Sequence, residues 1–268
     1  MATPTTTTPN DDPPQFPEVQ PGGSLMIAWQ AKGKRILVVG GGEVAAGRIL
    51  LSLNASALVT VICPTSGLSP EVTHRIALHQ VTHHDRLFLP SDLDTADLVL
   101  CAVDDPAASS AIWRLCRARR IPANIADVPA ECDFYFGSVH RDGPLQVMVS
   151  TNGKGPRLAS TIRKYIGARL PVGAGRAIET VGALRVKLRA VAPRVEDGGK
   201  RMRWMTRVSD AYSWEEMCGL TEEDMGNLLR YYESGRVPSL DVLKAMRGGK
   251  DVSELDVFDG SFGFSVGV

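Results

Sequence analysis

Apolar positions along this chain fall into two rhythms. Over residues 35–39 (RILVV), 58–62 (LVTVI), 97–103 (DLVLCAV) and 121–126 (IPANIA) they run almost without a break. Short β-branched and Leu-rich runs stopped by Gly or Pro predict strands buried on both faces. Between them the spacing turns helical, from Glu43 through Leu53 and over 107–119 (AASSAIWRLCRAR). Strands alternating with helices predict a parallel sheet covered by helices, an α/β fold. From His74 to His84 no period stands out, and no element is predicted there.

Beyond Cys132 the grammar changes. Phe134, Phe136 and Val139 are predicted on a strand, Arg141-Asp142-Gly143-Pro144 as a turn, and 145–149 (LQVMV) as a second strand, which makes an antiparallel hairpin appended to the sheet. Gly155-Pro156 opens a helix, with Pro at the first helical position, where its missing N–H costs nothing. Leu158, Ile162 and Ile166 form an apolar row on that helix, with Arg157, Thr161 and Lys164 on another face. Ile178, Val181, Leu184, Leu188 and Val191 continue a helical spacing, Thr221 to Asp224 reads as a helix start, and 239–246 as a last short helix. The expected organisation is a disordered leader (1–23), an α/β domain (24–132), a hairpin region (133–170), a helical C-terminal domain (171–247) and a flexible tail (248–268).

Composition excludes several classes. A chain of 268 residues that is 44% hydrophobic and 22% charged has the balance of a globular protein. Its apolar runs are far short of the roughly 20 residues that cross a bilayer, so no membrane partner is expected. The leader is Thr- and Pro-rich without Lys or Arg, which suits neither a secretory signal nor a transit peptide and predicts a cytoplasmic protein. Five cysteines, odd in number and without CxxC spacing, predict neither a disulfide framework nor a zinc site. Net charge is zero, yet residues 133–207 carry fifteen Lys and Arg against five Asp and Glu, while 208–268 carry five against twelve. Such a basic block either attracts an anionic partner or pairs with the acidic C-terminal block.

Candidate chemistry concentrates at the ends of the predicted strands. Gly40-x-Gly42-x-x-Ala45 lies between a strand and a helix, the context that makes a dinucleotide fingerprint credible. The first glycine permits the turn, the second lets a pyrophosphate approach the backbone, and the small third residue packs helix against strand. Gly40, Gly41, Gly42, Glu43, Val44 and Ala45 are therefore candidate cofactor contacts, the helix-start N–H groups meeting the phosphates. The acidic residue expected after the second strand is missing, since Cys63-Pro64-Thr65-Ser66 stands there, and no Arg is adjacent. NAD is the favoured cofactor, with NADP left open. Asp104 and Asp105 follow the third clear strand; Asp104 is a candidate cofactor contact and Asp105 reads as a helix cap. Asp127 follows the next strand with no helix behind it and is the candidate catalytic carboxylate. Ser150, Thr151, Asn152, Gly153, Lys154 and Arg157 line a polar, Gly-rich loop entering a helix, suited to an anionic substrate. No metal cage is predicted, and His83-His84-Asp85 reads as surface.

Three blocks together, ILVVGGGEVAAGR (36–48), NIADVPAECDFYFGS (124–138) and LQVMVSTNGKGPRLA (145–159), resemble the precorrin-2 dehydrogenase and sirohydrochlorin ferrochelatase family. That family includes the fungal bifunctional enzyme and the N-terminal half of bacterial sirohaem synthase. The resemblance covers about residues 26–215. It implies a Rossmann-type NAD-binding domain (24–132), a dimerisation region (133–170) and a helical C-terminal domain joined as an intertwined homodimer, NAD-dependent oxidation of precorrin-2 to sirohydrochlorin, and insertion of ferrous iron, a co-substrate, to give sirohaem. Its essential aspartate falls on Asp127, and its substrate-proximal hydroxyl on Thr151 beside Ser150. The basic block then has a reason, because the family's tetrapyrrole carries eight carboxylates. No nucleic-acid partner is implied. Some relatives only dehydrogenate, and a Rossmann module that senses NAD without chemistry is the alternative from another class.

Overall fold

In the first part of the chain, runs of β-branched residues become the strands of one sheet. In chain order these elements are β1 (Arg35–Val39), α1 (Glu43–Asn54), β2 (Leu58–Ile62), α2 (Pro70–Ala77), β3 (Thr82–His84), β4 (Leu98–Cys101), α3 (Pro106–Arg119) and β5 (Ala123–Ile125). The sheet runs β3-β2-β1-β4-β5, parallel throughout, with Val38 opposite Val61 on one side and Leu100 on the other. Successive side chains of β1 serve opposite faces. Ile36 and Val38 pack with Ala45, Ala46 and Ile49 of α1 and Val72 of α2. Leu37 and Val39 pack with Ile112 and Cys116 of α3. Connections leave β1 and β4 in opposite directions, which opens a crevice at their carboxyl ends, where open α/β sheets bind ligands.

The computed structural model describes residues 16, 17 and 19–247, and the backbone of 257 and 258. The expected leader and tail lie largely outside these residues. Two compact units are distinguished: one holds residues up to Phe136 together with 152–154, the other 137–151 with the chain from Gly155 onward.

The second unit begins with the hairpin β6 (Ser138–Asp142) and β7 (Leu145–Val149), followed by α4 (Pro156–Gly167), α5 (Ala174–Val191), α6 (Gly198–Ala211), α7 (Trp214–Gly219), α8 (Glu222–Leu229), β8 (Val237–Pro238), α9 (Leu240–Met246) and β9 (Val257–Phe258). A φ of +53° at Gly143 turns the hairpin, and Asp142 Oδ2 accepts the Gly175 N–H at the start of α5 (2.8 Å). Leu184, Leu188, Trp204, Val208, Leu228, Tyr232 and Leu243 form the helical core. Trp204 and Tyr232 meet edge to face with centroids 5.6 Å apart, and Trp204 Nε1 donates to the Arg236 carbonyl (2.9 Å).

Two expectations need correction. Val139 lies on β6, but Phe134 and Phe136 precede it. Their stretch is fastened sideways to β5 instead: Asp133 Oδ2 accepts the Ala123 N–H (2.8 Å) and Asn124 Nδ2 donates to the Phe134 carbonyl (2.7 Å). Residues 70–77 and 82–84, where no element was predicted, form α2 and the edge strand β3.

Candidate active site

The glycine turn gives its three glycines three different tasks. Gly40 has φ +109°, and a Cβ there would fall on the Ala102 carbonyl at the end of β4, so only glycine fits. Gly41 is packed too, against Cys63 Sγ and Leu68, and its carbonyl accepts the Ser69 N–H (2.7 Å). Gly42, the residue before α1, has nothing within 4 Å of a built Cβ. It is exposed, as are Glu43 and Val44, while Ala45 is fully buried against the sheet. The open side of Gly42 together with the first-turn N–H groups of α1 suits a pyrophosphate, and a dinucleotide fits these residues.

At the carboxyl end of β2 the sequence offers no carboxylate, but the fold brings one from elsewhere. Asp85, directly after β3, accepts the Thr65 N–H at Oδ1 (2.7 Å). Hydrogen bonds from the Thr65 side chain and backbone hold the Asp85 carboxyl below its ordinary range. His83, read as surface, bonds the Cys63 carbonyl through Nε2 (2.8 Å).

At the end of β4, Asp104 is exposed and Asp105 caps α3, its Oδ1 accepting the Ala107 and Ala108 N–H groups (2.9 and 3.2 Å). Two residues past β5, Asp127 is exposed in a left-handed conformation, φ +59°, uncommon outside glycine. The preceding Ala126 N–H bonds the Cys101 carbonyl (2.9 Å). That carbonyl also accepts Arg48 Nη1 of α1 (2.8 Å), a residue that sequence reasoning passed over. Burial lowers the Arg48 pKa, opposed by the fields of Cys132, Cys101 and Asp127. The cysteines are free: Cys63, Cys101 and Cys116 are buried, and burial pushes the Cys116 thiol up to about 11. Such thiols are poor nucleophiles.

The polar loop is divided between the units. Residues 152–154 go with the first and Ser150, Thr151 and Arg157 with the second. Thr151 Oγ1 accepts the Gly155 N–H (3.1 Å), ordering the entry to α4. Asn152 and Gly153 both have positive φ, and the Asn152 side chain fastens residues 22–24: Nδ2 donates to the Gly22 carbonyl (3.0 Å) and Oδ1 accepts the Ser24 hydroxyl (2.6 Å). Lys154 and Arg157 are exposed. Part of the basic block does pair with the acidic one, through Lys187–Glu222 (2.6 Å) and Lys200–Glu233 (2.7 Å). Among the described residues no group of three or more His, Cys, Asp or Glu could hold a metal ion, and no helix is long and apolar enough to cross a membrane.

Three families of known proteins match consecutive stretches. A putative NAD(P)-binding family covers residues 27–138, the sirohaem biosynthesis protein central family 142–169, and the sirohaem biosynthesis protein C-terminal family 171–238. Siroheme biosynthesis protein met8 of Schizosaccharomyces pombe is 54% identical over 219 residues, covering 81% of this chain and 83% of that protein. The siroheme synthase of Methylobacillus flagellatus is 33% identical over 80% of this chain, and that of Thioalkalivibrio sulfidiphilus 37% over 68%. The matches span only 44% and 36% of those two bacterial proteins. Among solved structures, SirC, a precorrin-2 dehydrogenase, superposes with a TM-score of 0.60 at 20% identity, over 79% of this chain and 100% of SirC, a likeness of fold.

Proposed function

Because the chain belongs to the sirohaem biosynthesis family, we propose that it oxidises precorrin-2 to sirohydrochlorin with NAD and then inserts ferrous iron to give sirohaem. The observation that carries this reading is the glycine turn, in which Gly40 and Gly41 are filled by packing while Gly42 alone is open beside the first N–H groups of α1. Bound there, NAD supplies the hydride acceptor. Gly42, Glu43 and Val44, exposed at the start of α1, would meet its pyrophosphate, Gly40, Gly41 and Ala45 would shape the turn by packing, and Asp104, exposed after β4, would be a further cofactor contact.

Oxidation removes a hydride and a proton from the macrocycle. Asp127 is the group assigned to the proton, since its carboxylate is exposed at the carboxyl end of the sheet and its turn is fixed through Ala126. Iron insertion releases two pyrrole protons, and the same exposed carboxylate can take them one at a time, passing the first to solvent before it accepts the second. Ser150, Thr151, Asn152, Gly153, Lys154 and Arg157 receive the substrate's carboxylates, the two exposed cations supplying charge and the loop supplying backbone N–H groups.

The chain acts as a homodimer in this reading. On α4, Leu158 and Tyr165 are each 59% exposed and Ile162 38%, an apolar stripe on a short helix that a second copy would cover. Five free cysteines suit a reducing, cytoplasmic compartment.

The test is turnover. Purified protein given precorrin-2 and NAD, then ferrous iron, should show the absorbance of sirohydrochlorin and afterwards that of sirohaem. Asp127→Ala should lower oxidation about 10²–10⁴-fold with NAD affinity unchanged. Oxidation without metallation would assign iron insertion to another protein, and absence of both reactions would overturn the reading.

A further inference from the structure

In a sheet of this order the adenosine half of a dinucleotide lies over the end of β2, and what stands there decides between a ribose 2′-hydroxyl and a 2′-phosphate. The residues after β2 carry no charge, and no Lys, Arg or His occurs from Ala57 to Pro70. The fold fills that gap from the neighbouring strand. Ile62 pairs with His84 in the β2–β3 register, so Asp85 emerges at the level of Cys63. Its Oδ1 then accepts the Thr65 N–H (2.7 Å). The segment that begins at Thr65 folds back onto the glycine turn, with the Ser69 N–H on the Gly41 carbonyl (2.7 Å) and Leu68 against Gly41. One short loop therefore joins the Asp85 carboxylate to the pyrophosphate turn.

The cation next in sequence is directed elsewhere. Arg86 forms a bidentate pair with Asp92, at 2.6 and 2.8 Å, and donates to the Leu87 carbonyl (3.0 Å). A guanidinium held in this way is not offered to a phosphate, whereas the carboxylate beside it is fixed in place.

We propose that Asp85 is the specificity-determining residue of the dinucleotide site, accepting hydrogen bonds from the adenosine ribose hydroxyls and repelling a 2′-phosphate, so that the protein selects NAD over NADP. This rests on the dinucleotide-binding part of the proposed function. It assigns to the end of β3 the carboxylate that the end of β2 lacks.

Direct binding separates this inference from the question of turnover. Titrating the full-length protein with NADH and with NADPH, followed by nicotinamide fluorescence, should give an NADH affinity at least about tenfold higher, the scale of a like-charge rejection. Asp85→Asn retains an acceptor for the Thr65 N–H and removes only the charge. It should narrow the NADH/NADPH ratio about tenfold or more. A residue that merely ties the loop predicts otherwise: an unchanged ratio in Asp85→Asn, with both affinities falling together in Asp85→Ala, and that pattern overturns the proposal. A wild-type preference for NADPH overturns it as well. If neither nucleotide binds the wild-type protein, the dinucleotide reading itself fails and takes this assignment with it.

Discussion

Arg48, on the second turn of α1, donates from Nη1 to the carbonyl of Cys101 at the end of β4, 2.8 Å away, with the Asn124 carbonyl of β5 at 3.5 Å. The Cys101 carbonyl is also the acceptor for Ala126, so a single oxygen links the helix of the glycine turn to the residue before Asp127. Bonds from a charged donor contribute about 1.5–3 kcal/mol, more than a neutral bond, and leaving a buried carbonyl short of its partner costs stability.

Arg48→Met should therefore lower kcat for precorrin-2 oxidation about tenfold while leaving the KM for NAD nearly unchanged, because the pyrophosphate turn does not use the guanidinium. Steady-state kinetics checks this split, and partial recovery in Arg48→Lys would show that the positive charge matters as well as the geometry. A rise in the KM for NAD with kcat intact would place Arg48 in cofactor binding instead.

The glycine turn permits a paired test of packing against ligand contact. Gly42→Val meets open space and should fold with a near-native melting temperature, yet lose NAD affinity by at least about 100-fold because its side chain takes the pyrophosphate's place. Gly40→Val combines a φ of +109° with a collision at the Ala102 carbonyl and should fail to give folded protein. Calorimetry and nucleotide titration of the two variants distinguish these outcomes. Unchanged NAD affinity in folded Gly42→Val would remove this turn from the cofactor site.

The parts of the fold legible in the sequence were those set by local physics. β1 and β2 match their predicted bounds because uninterrupted β-branched runs end at Gly40 and just before Cys63-Pro64. α2 went unread because only Val72 on it is fully buried, too little to set up a visible period, although Ser69-Pro70-Glu71 is a serviceable start signal and Ser69 does accept the Val72 N–H. β3 is Thr-His-His, a polar edge strand whose register comes wholly from β2. Phe134 and Phe136 read as strand from their alternating aromatic side chains, but their stretch is tied to β5 by the Asp133 and Asn124 side chains and joins no ladder, which no alternation in the sequence can show. Asp85 and Arg48 could not be found from motif spacing, since each acts on a strand end distant in sequence.

The apolar stripe on α4 supplies the assembly test. Replacing Leu158 and Tyr165, both exposed, with Glu should disturb little within one chain but place charges in the proposed dimer contact. Light scattering at micromolar concentration should give a dimer for the wild-type protein and a monomer for the double variant, with helical content retained. A wild-type monomer would refute the assembly, and a variant dimer would move the contact to another surface.

The last prediction concerns pH and the helical unit. Asp224 is fully buried at the start of α8, where it accepts the Thr221 N–H and hydroxyl (both 2.7 Å) and the Nε and Nη2 groups of Arg247 (2.7 and 2.5 Å). Burial pulls its pKa upward, but the Arg247 and Thr221 bonds outweigh it and hold the carboxyl below its ordinary value. A carboxyl whose pKa is depressed in the folded state stabilises that state above the unfolded value, about 3.9, and the contribution disappears as pH falls through the lower folded value. The melting temperature of this unit should accordingly be level near neutrality and drop on acidification below about pH 4. Asp224→Asn loses the charge and sets an amide N–H₂ against the guanidinium, so its melting temperature should be lower at neutral pH by at least about 5 °C, with the acid-dependent drop reduced. Calorimetry of both proteins from neutral to acidic pH decides the matter. Equal acid sensitivity in Asp224→Asn would show that other carboxylates govern the acid limit of the C-terminal unit.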